Sequence, residues 1–599
     1  MKQRLEQFYE AFGDRGIMFI LYAFSVVVNS LLSWNMALPT VYPDEISVAG
    51  TAAFYSGNGK WPLLGQMESG GYVQALFYAP LFLVLDNPFV LYKAMLIVNA
   101  LLISFVPMIV YHIAAKLGVA RVRQKLIIAI CCGMYISYIV NSKFIWNETV
   151  TAVLCWLLVL CFFTAWDKKG RGSRISGSIL LGFTSALAYA SNVKLISLVI
   201  ALVITVIIAQ LVIREKIVSL PVFAISLAAS FVGEHFLRES LSAALGSGVQ
   251  LTPGTAANSG SEFFGIFFSQ TYSFMTSTLG FGALAAALCA VMLLNLIREG
   301  TRKRVETPES NTRVYEPIKH KYSIRLTVFA LFVLLSVLCA TIFSGLFDSP
   351  GKADAFGRFT DNLSAPALFL VFVFIFLYGI DLGKIVLGIG IYTYACICFR
   401  IMGYPLISRL DNAGAVMING LMPVKPAEAA DGVSMGMTYI IMSSCVYTMF
   451  SLMFVFASCS RKHRTMLIAL SSFLVIVTVT AYLGGHRLQE EGMMSFSETE
   501  PYREVLDLLY NDPLSPPIIV YETDPRLAST IQFMAPEVKV SLMTAGEKAP
   551  ESCLMIAENG VQIPFEGGSY DNVGKTDQYT IYAFGESARD FIRYSSSKS

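Results

Sequence analysis

Apolar stretches of about 20 residues, divided by short polar turns, recur from residue 16 to residue 484. That length matches an α-helix crossing the hydrocarbon core of a bilayer. The pattern predicts thirteen spans, roughly 16–36, 91–115, 125–141, 148–166, 176–191, 194–213, 217–237, 273–297, 326–346, 363–380, 384–402, 436–458 and 465–484. One more apolar run, 71–86, is shorter and carries Gln74 and Pro80, so it is predicted to lie along the surface instead of crossing. Residues 38–90 then form one long external loop with two interfacial helices, 44–56 and about 72–85. Beyond residue 484 the period changes. Strand-like runs at 517–521, 538–543, 553–557 and 579–584 alternate with a helical pattern at 524–534, which predicts a small α/β module. The expected division is a membrane domain over 1–484 and a soluble, extracytoplasmic module over 485–599.

Composition agrees. The 599 residues are 55% hydrophobic and 14% charged, with a mean hydropathy of +0.60, whereas soluble domains carry about a quarter charged residues. The fold class expected is an α-helical polytopic membrane protein. The apolar run from residue 16 is too long for a signal-peptide core and reads as an uncleaved first span. Most of the eleven cysteines, such as Cys131, Cys132, Cys155, Cys289 and Cys396, fall within spans and read as small packing residues.

Basic residues set the orientation. Lys116, Arg121, Arg123 and Lys125 share one loop, and Lys168, Lys169, Arg171 and Arg174 another. Arg298 to Arg325 hold a third cluster, and Arg461, Lys462 and Arg464 a fourth. A cytoplasmic N-terminus puts all four inside, as the positive-inside rule requires. These loops read as topology signals or contacts with anionic membrane lipids, and no nucleic-acid partner is expected. The same orientation places the C-terminal module outside.

The sequence has no phosphate-cradling P-loop, no His-Glu-x-x-His and no Gly-x-Ser-x-Gly, and its five histidines lack ligand spacing. Charges at mid-span are scarce, which argues against an ion-coupled transporter. Polar residues collect at the outer rim instead: Asp44, Glu45, Glu68, Glu148, Lys194, Glu234, His235, Arg358, Asp361 and Arg409. A carboxylate there could take the proton from an acceptor hydroxyl. Cations could hold a phosphate and stabilise the charge of its departure. Plainer readings stand beside these. Asp44 and Glu45 could cap a helix N-terminus, Lys194 could snorkel to head groups, Arg358 could pair with Asp354 or Asp361, and Glu148 could cap the fourth span. Other function classes are a transporter or flippase for a lipid-linked glycan, and a membrane scaffold whose module binds a wall partner.

Asp44-Glu45-x₃-Ala49-x₂-Ala52, continued by Gly57-x₂-Lys60-Trp61, resembles the first-loop pattern of the GT-C superfamily of membrane glycosyltransferases. Relatives there include protein O-mannosyltransferases, lipid A aminoarabinose transferases and arabinofuranosyltransferases. Tyr78-Ala-Pro-Leu81, Gly182-x₄-Leu187-Ala188-x₅-Lys194 and Gly357-Arg358-Phe359 resemble further family features, with Phe359 in place of the usual tyrosine. The resemblance covers roughly residues 10–400. It implies inverting transfer from a polyprenyl-phosphate sugar to a protein, lipid or wall-glycan acceptor. Asp44 would be the general base, Glu45 its assistant, and Lys194 and Arg358 the donor-phosphate ligands. Glu148, His235, Glu68 and Arg409 are accessory candidates. A divalent cation, Mg or Mn, near the carboxylates is a further expectation of the resemblance.

Overall fold

The computed structural model describes residues 2–34, 43–59, 61–66, 71–168, 170–245, 260–278, 280–305, 322–347, 360–403, 515–523, 525–544, 546–547, 550–561 and 570–596, with a few isolated positions between. The spans expected at 436–458 and 465–484 lie outside the described residues. So do most of the loops at 347–362 and 403–435.

The chain opens with α1 (Lys2–Leu32), which bends at Gly13, where φ is +62°. The first loop then holds α2 (Pro43–Tyr55), a 3₁₀ turn (Pro62–Gln66) and α3 (Tyr72–Phe82). Both helices fall where the sequence places them. Then come α4 (Pro88–Ile103), α5 (Phe105–Lys116), α6 (Val122–Gly133), α7 (Ile136–Asn141), α8 (Glu148–Asp167) and α9 (Arg171–Ser191). The bundle continues with α10 (Ile196–Leu211), α11 (Leu220–Leu245), α12 (Gly260–Ser277), α13 (Phe281–Val305), α14 (Ile324–Phe347), α15 (Asp361–Tyr378) and α16 (Leu382–Cys398). Among the described residues, 8 helical stretches are long and apolar enough to cross a membrane, and α4 with α5 forms one of them.

Two departures from the expected spans have local causes. The loop expected at 238–272 is largely helical, because α11 runs on to Leu245 and α12 begins at Gly260. The span expected at 273–297 is therefore two helices, parted at Thr278–Gly280, where Gly280 takes φ +82°. The span expected at 125–141 is broken between α6 and α7, and Tyr135 at the break donates its hydroxyl to the Ser277 carbonyl, 2.7 Å away.

Pro107 has no N–H to continue the ladder, and the helix steps from α4 to α5 at Ser104, whose hydroxyl donates to the Ala100 carbonyl. Gly133 packs against this proline: a Cβ there would lie 2.5 Å from Pro107 Cα and 2.8 Å from its nitrogen. Alanine normally stabilises a helix relative to glycine, but backbone cannot yield here. Gly133→Ala is expected to cost about 1–3 kcal/mol, read as a lower thermal midpoint in detergent; an unchanged or higher midpoint would show that α5 and α6 are free to part.

The described residues of the first and third basic clusters meet at one end of the bundle. Lys125 pairs with Asp14 at 2.9 Å, and Lys116 with Asp167 at 2.5 Å. Arg325 reaches the same Asp167 at 2.8 Å. The C-terminal module lies at the opposite end. Its five strands are β1 (Ile518–Tyr521), β2 (Val540–Met543), β3 (Cys553–Glu558), β4 (Tyr570–Lys575) and β5 (Tyr579–Phe584), in the order β2-β1-β3-β5-β4. β1 runs parallel to β2 and β3, while β5 is antiparallel to β3 and β4. Helices α17 (Pro525–Met534) and α18 (Glu586–Ser596) complete it.

Alternation along β1 sends Ile518 and Val520 to one face and Ile519 and Tyr521 to the other. The first face shares a single hydrophobic core with Ile46, Ala49, Ala53, Trp61 and Leu64 of the first loop. Trp61 Nε1 donates to the Pro536 carbonyl at 3.0 Å, and Tyr92 meets Phe533 edge-on. The module is thus packed onto the loop that carries α2.

Candidate active site

Asp44 occupies the first turn of α2, next to Pro43, whose fixed φ suits the start of a helix. The Asp44 side chain, Glu68, Arg358 and Arg409 lie outside the described residues.

Glu45 is fully buried. Its Oε1 accepts the Ile145 N–H at 2.7 Å and the Tyr92 hydroxyl at 3.4 Å. An exposed assistant to the base was the expectation. The structure buries it, and these bonds tie the start of α2 to the turn 142–147 and to α4.

That turn is held from three more sides. Asn99 Nδ2 donates to the carbonyls of Ser142 at 3.3 Å and Phe144 at 2.7 Å. Asn99 Oδ1 accepts from Tyr78 and from Gln74 of α3. Gln74 Oε1 in turn accepts the Val150 N–H in the first turn of α8. Asn147 donates to the Ser191 carbonyl at the end of α9. Burial pushes the Tyr78 phenol above its ordinary range, so it remains a donor in this network. Gly71, at φ +76°, makes the approach possible: a Cβ there would sit 2.5 Å from Val48 Cγ2 and 3.2 Å from Asn147 Cβ.

Glu148 is the first residue of α8 and is buried, directly after this turn. Lys194 sits half-buried in the 3₁₀ turn Val193–Leu195, whose start is capped by Asn192 accepting the Lys194 N–H. The Asn147–Ser191 bond places that turn beside the α8 N-terminus. Gly182, part of the motif that led to Lys194, brings α9 against α11; a Cβ there would lie 2.9 Å from the Leu227 nitrogen. Its role is close packing.

His235 does not join the group. It lies exposed on α11 with Glu239 at 3.4 Å. The neighbouring Glu234 turns inward instead and accepts the Tyr72 hydroxyl at 2.6 Å. Arg238 pairs with Glu234 and donates to the Tyr189 hydroxyl at 3.0 Å. Burial, then the Glu234 carboxylate, raises the Tyr72 phenol. This closed cluster fixes α3 to α9 and α11.

Among the described residues no three His, Cys, Asp or Glu side chains converge as a metal site. Glu45 is already engaged by an N–H and a hydroxyl.

One cation of this end went unremarked in the sequence. Lys143 lies in the turn 142–147 and is 2% exposed. Burial pushes its ammonium down to about 8. A lysine in a short turn on the face without basic loops was a signal open to reading.

No family model and no curated protein matches the chain. Solved structures do. The chain is similar to ArnT from Cupriavidus metallidurans bound to undecaprenyl phosphate, with a TM-score of 0.52 and 11% identity, over 94% of this chain and 97% of that one. The apo state of the same protein gives a TM-score of 0.52 and 12% identity over the same shares. The likeness runs along nearly the whole of both chains, so this is a multi-pass membrane protein with a fold like that of ArnT.

Proposed function

We propose that the protein is an inverting glycosyltransferase that moves a sugar from a polyprenyl-phosphate donor to an acceptor at the outer face of the membrane. The observation that carries this reading is the full-length likeness to a structure holding undecaprenyl phosphate. The local geometry supports it. The helix that bears Asp44 is anchored through Glu45, at the end of the bundle opposite the basic loops. Those loops face the cytoplasm under the positive-inside rule, so the site and the module face outward.

Asp44 removes the acceptor proton as the acceptor oxygen attacks the anomeric carbon. The bond from that carbon to the phosphate oxygen breaks on the opposite side, and configuration inverts. The polyprenyl phosphate leaves with the bonding pair, and Lys194 and Arg358 offset its added negative charge. The module, packed on the first loop, borders the side from which an acceptor arrives.

The test is a transfer assay with purified protein and polyprenyl-phosphate sugars. Asp44→Asn keeps the shape but cannot take the proton, and should slow transfer by about 10²–10⁴-fold. Equal rates in the variant and the wild type would remove Asp44 as the base.

A further inference from the structure

Lys143 and Lys125 are the two buried lysines among the described residues. Lys125 has Asp14 at 2.9 Å. Lys143 has no counterpart: among the described residues no carboxylate pairs with its ammonium, and burial alone accounts for its lowered pKa. An unpaired buried charge is costly, and natural cores avoid it unless something compensates.

The side chain has little freedom to escape. Its turn is pinned by Asn99 at the carbonyls on both sides of Lys143, and by Glu45 at the Ile145 N–H. The position also runs against the membrane charge rule, because the basic clusters that hold Lys116 and Lys125 lie at the far end of the bundle. A cation held in a pinned turn, largely withdrawn from water and with no described carboxylate beside it, two residues from the anchor of the Asp44 helix, is placed to take an anion.

We propose that Lys143 is a phosphate-binding residue whose ammonium is the counter-charge for the phosphate of the polyprenyl donor. This rests on the glycosyltransferase reading above and adds a residue to it. The donor phosphodiester carries one negative charge and the departing monophosphate up to two. A fixed cation in a dry site therefore favours the departing form more than the bound donor, which is what accelerates transfer.

The experiment follows thermal midpoints of the full-length protein in detergent, with and without polyprenyl monophosphate, inorganic phosphate or phosphatidylglycerol. The wild type should gain several degrees with polyprenyl monophosphate. Lys143→Met should melt higher than the wild type without ligand, since an unpaired charge is gone, yet lose the lipid-induced gain and bind roughly 10- to 100-fold more weakly. Lys143→Arg should keep most of the gain. A weaker Lys143-dependent gain with inorganic phosphate would support phosphate recognition by the amine. A Lys143→Met protein that melts lower and binds polyprenyl phosphate with unchanged Kd would make Lys143 a packing residue and overturn the proposal. An equal, Lys143-dependent gain with phosphatidylglycerol would overturn the donor assignment in favour of a head-group site. The two readings fail separately: if Asp44→Asn loses transfer while Lys143→Met keeps it with unchanged KM, only the Lys143 proposal falls; if no polyprenyl-phosphate sugar is transferred by the wild type, the glycosyltransferase reading falls.

Discussion

Glu45→Ala should lower stability by about 2–4 kcal/mol and slow transfer at the same time. The carboxylate is buried and accepts a backbone N–H and a phenol. Alanine leaves both donors in a dry site without that acceptor, and each orphaned group costs about 1–3 kcal/mol. The loss should not stay local. The Ile145 N–H belongs to the turn that Asn99 and Asn147 also hold, with Gln74 bonded to the first turn of α8 beyond it, so the start of α2 comes loose from α4, α8 and α9 together. Hydrogen exchange should rise in 43–48 and 142–147 before it rises elsewhere. Glu45→Gln retains an acceptor oxygen and should recover much of the stability. A Glu45→Ala protein that melts like wild type but transfers slowly would return Glu45 to direct catalysis, as its place beside Asp44 first suggested.

The second large effect concerns Trp61. It is 1% exposed, packs edge-on with Phe82, and donates to the Pro536 carbonyl of the module. Trp61→Ala removes that bond and leaves a cavity where the module meets the first loop, at a cost of about 3–5 kcal/mol. Most of this falls on the docking of the module, because the helix bundle has its own core. Limited proteolysis should then release the module, and exchange should quicken along β1 and β2. Trp61→Phe keeps the ring in place and loses the hydrogen bond, a matter of about 1 kcal/mol. If Trp61→Ala leaves both cleavage and exchange unchanged, the shared core is not what holds the module.

Particular elements show how far the sequence could be read. The surface helices of the first loop were legible to within a few residues, because Pro43 starts one and Gly71 precedes the other. The parallel strands of the module were legible because β1 and β3 are buried on both faces and therefore nearly all apolar. β4 was not, since it is an exposed edge strand with a polar sequence. α12 was missed for its Gly- and Ser-rich approach, although Phe263 with Phe267 and Phe264 with Phe268 repeat at helical spacing and stack.

By itself, then, the sequence determined most of the described spanning helices, the shared end of the described basic residues and the helix that carries Asp44, because hydrophobic period, charge placement and helix starts are local properties. The tertiary structure decided how Glu45 and Lys143 are buried. Beside each other in the chain, Asp44 and Glu45 look like two equal surface carboxylates. Only the arrival of a turn 100 residues later, with an N–H aimed at Glu45, buries one of them. That same turn takes a lysine out of water with no carboxylate of the described residues to meet it. Desolvation and pairing depend on what folds against a residue, and no local pattern records that.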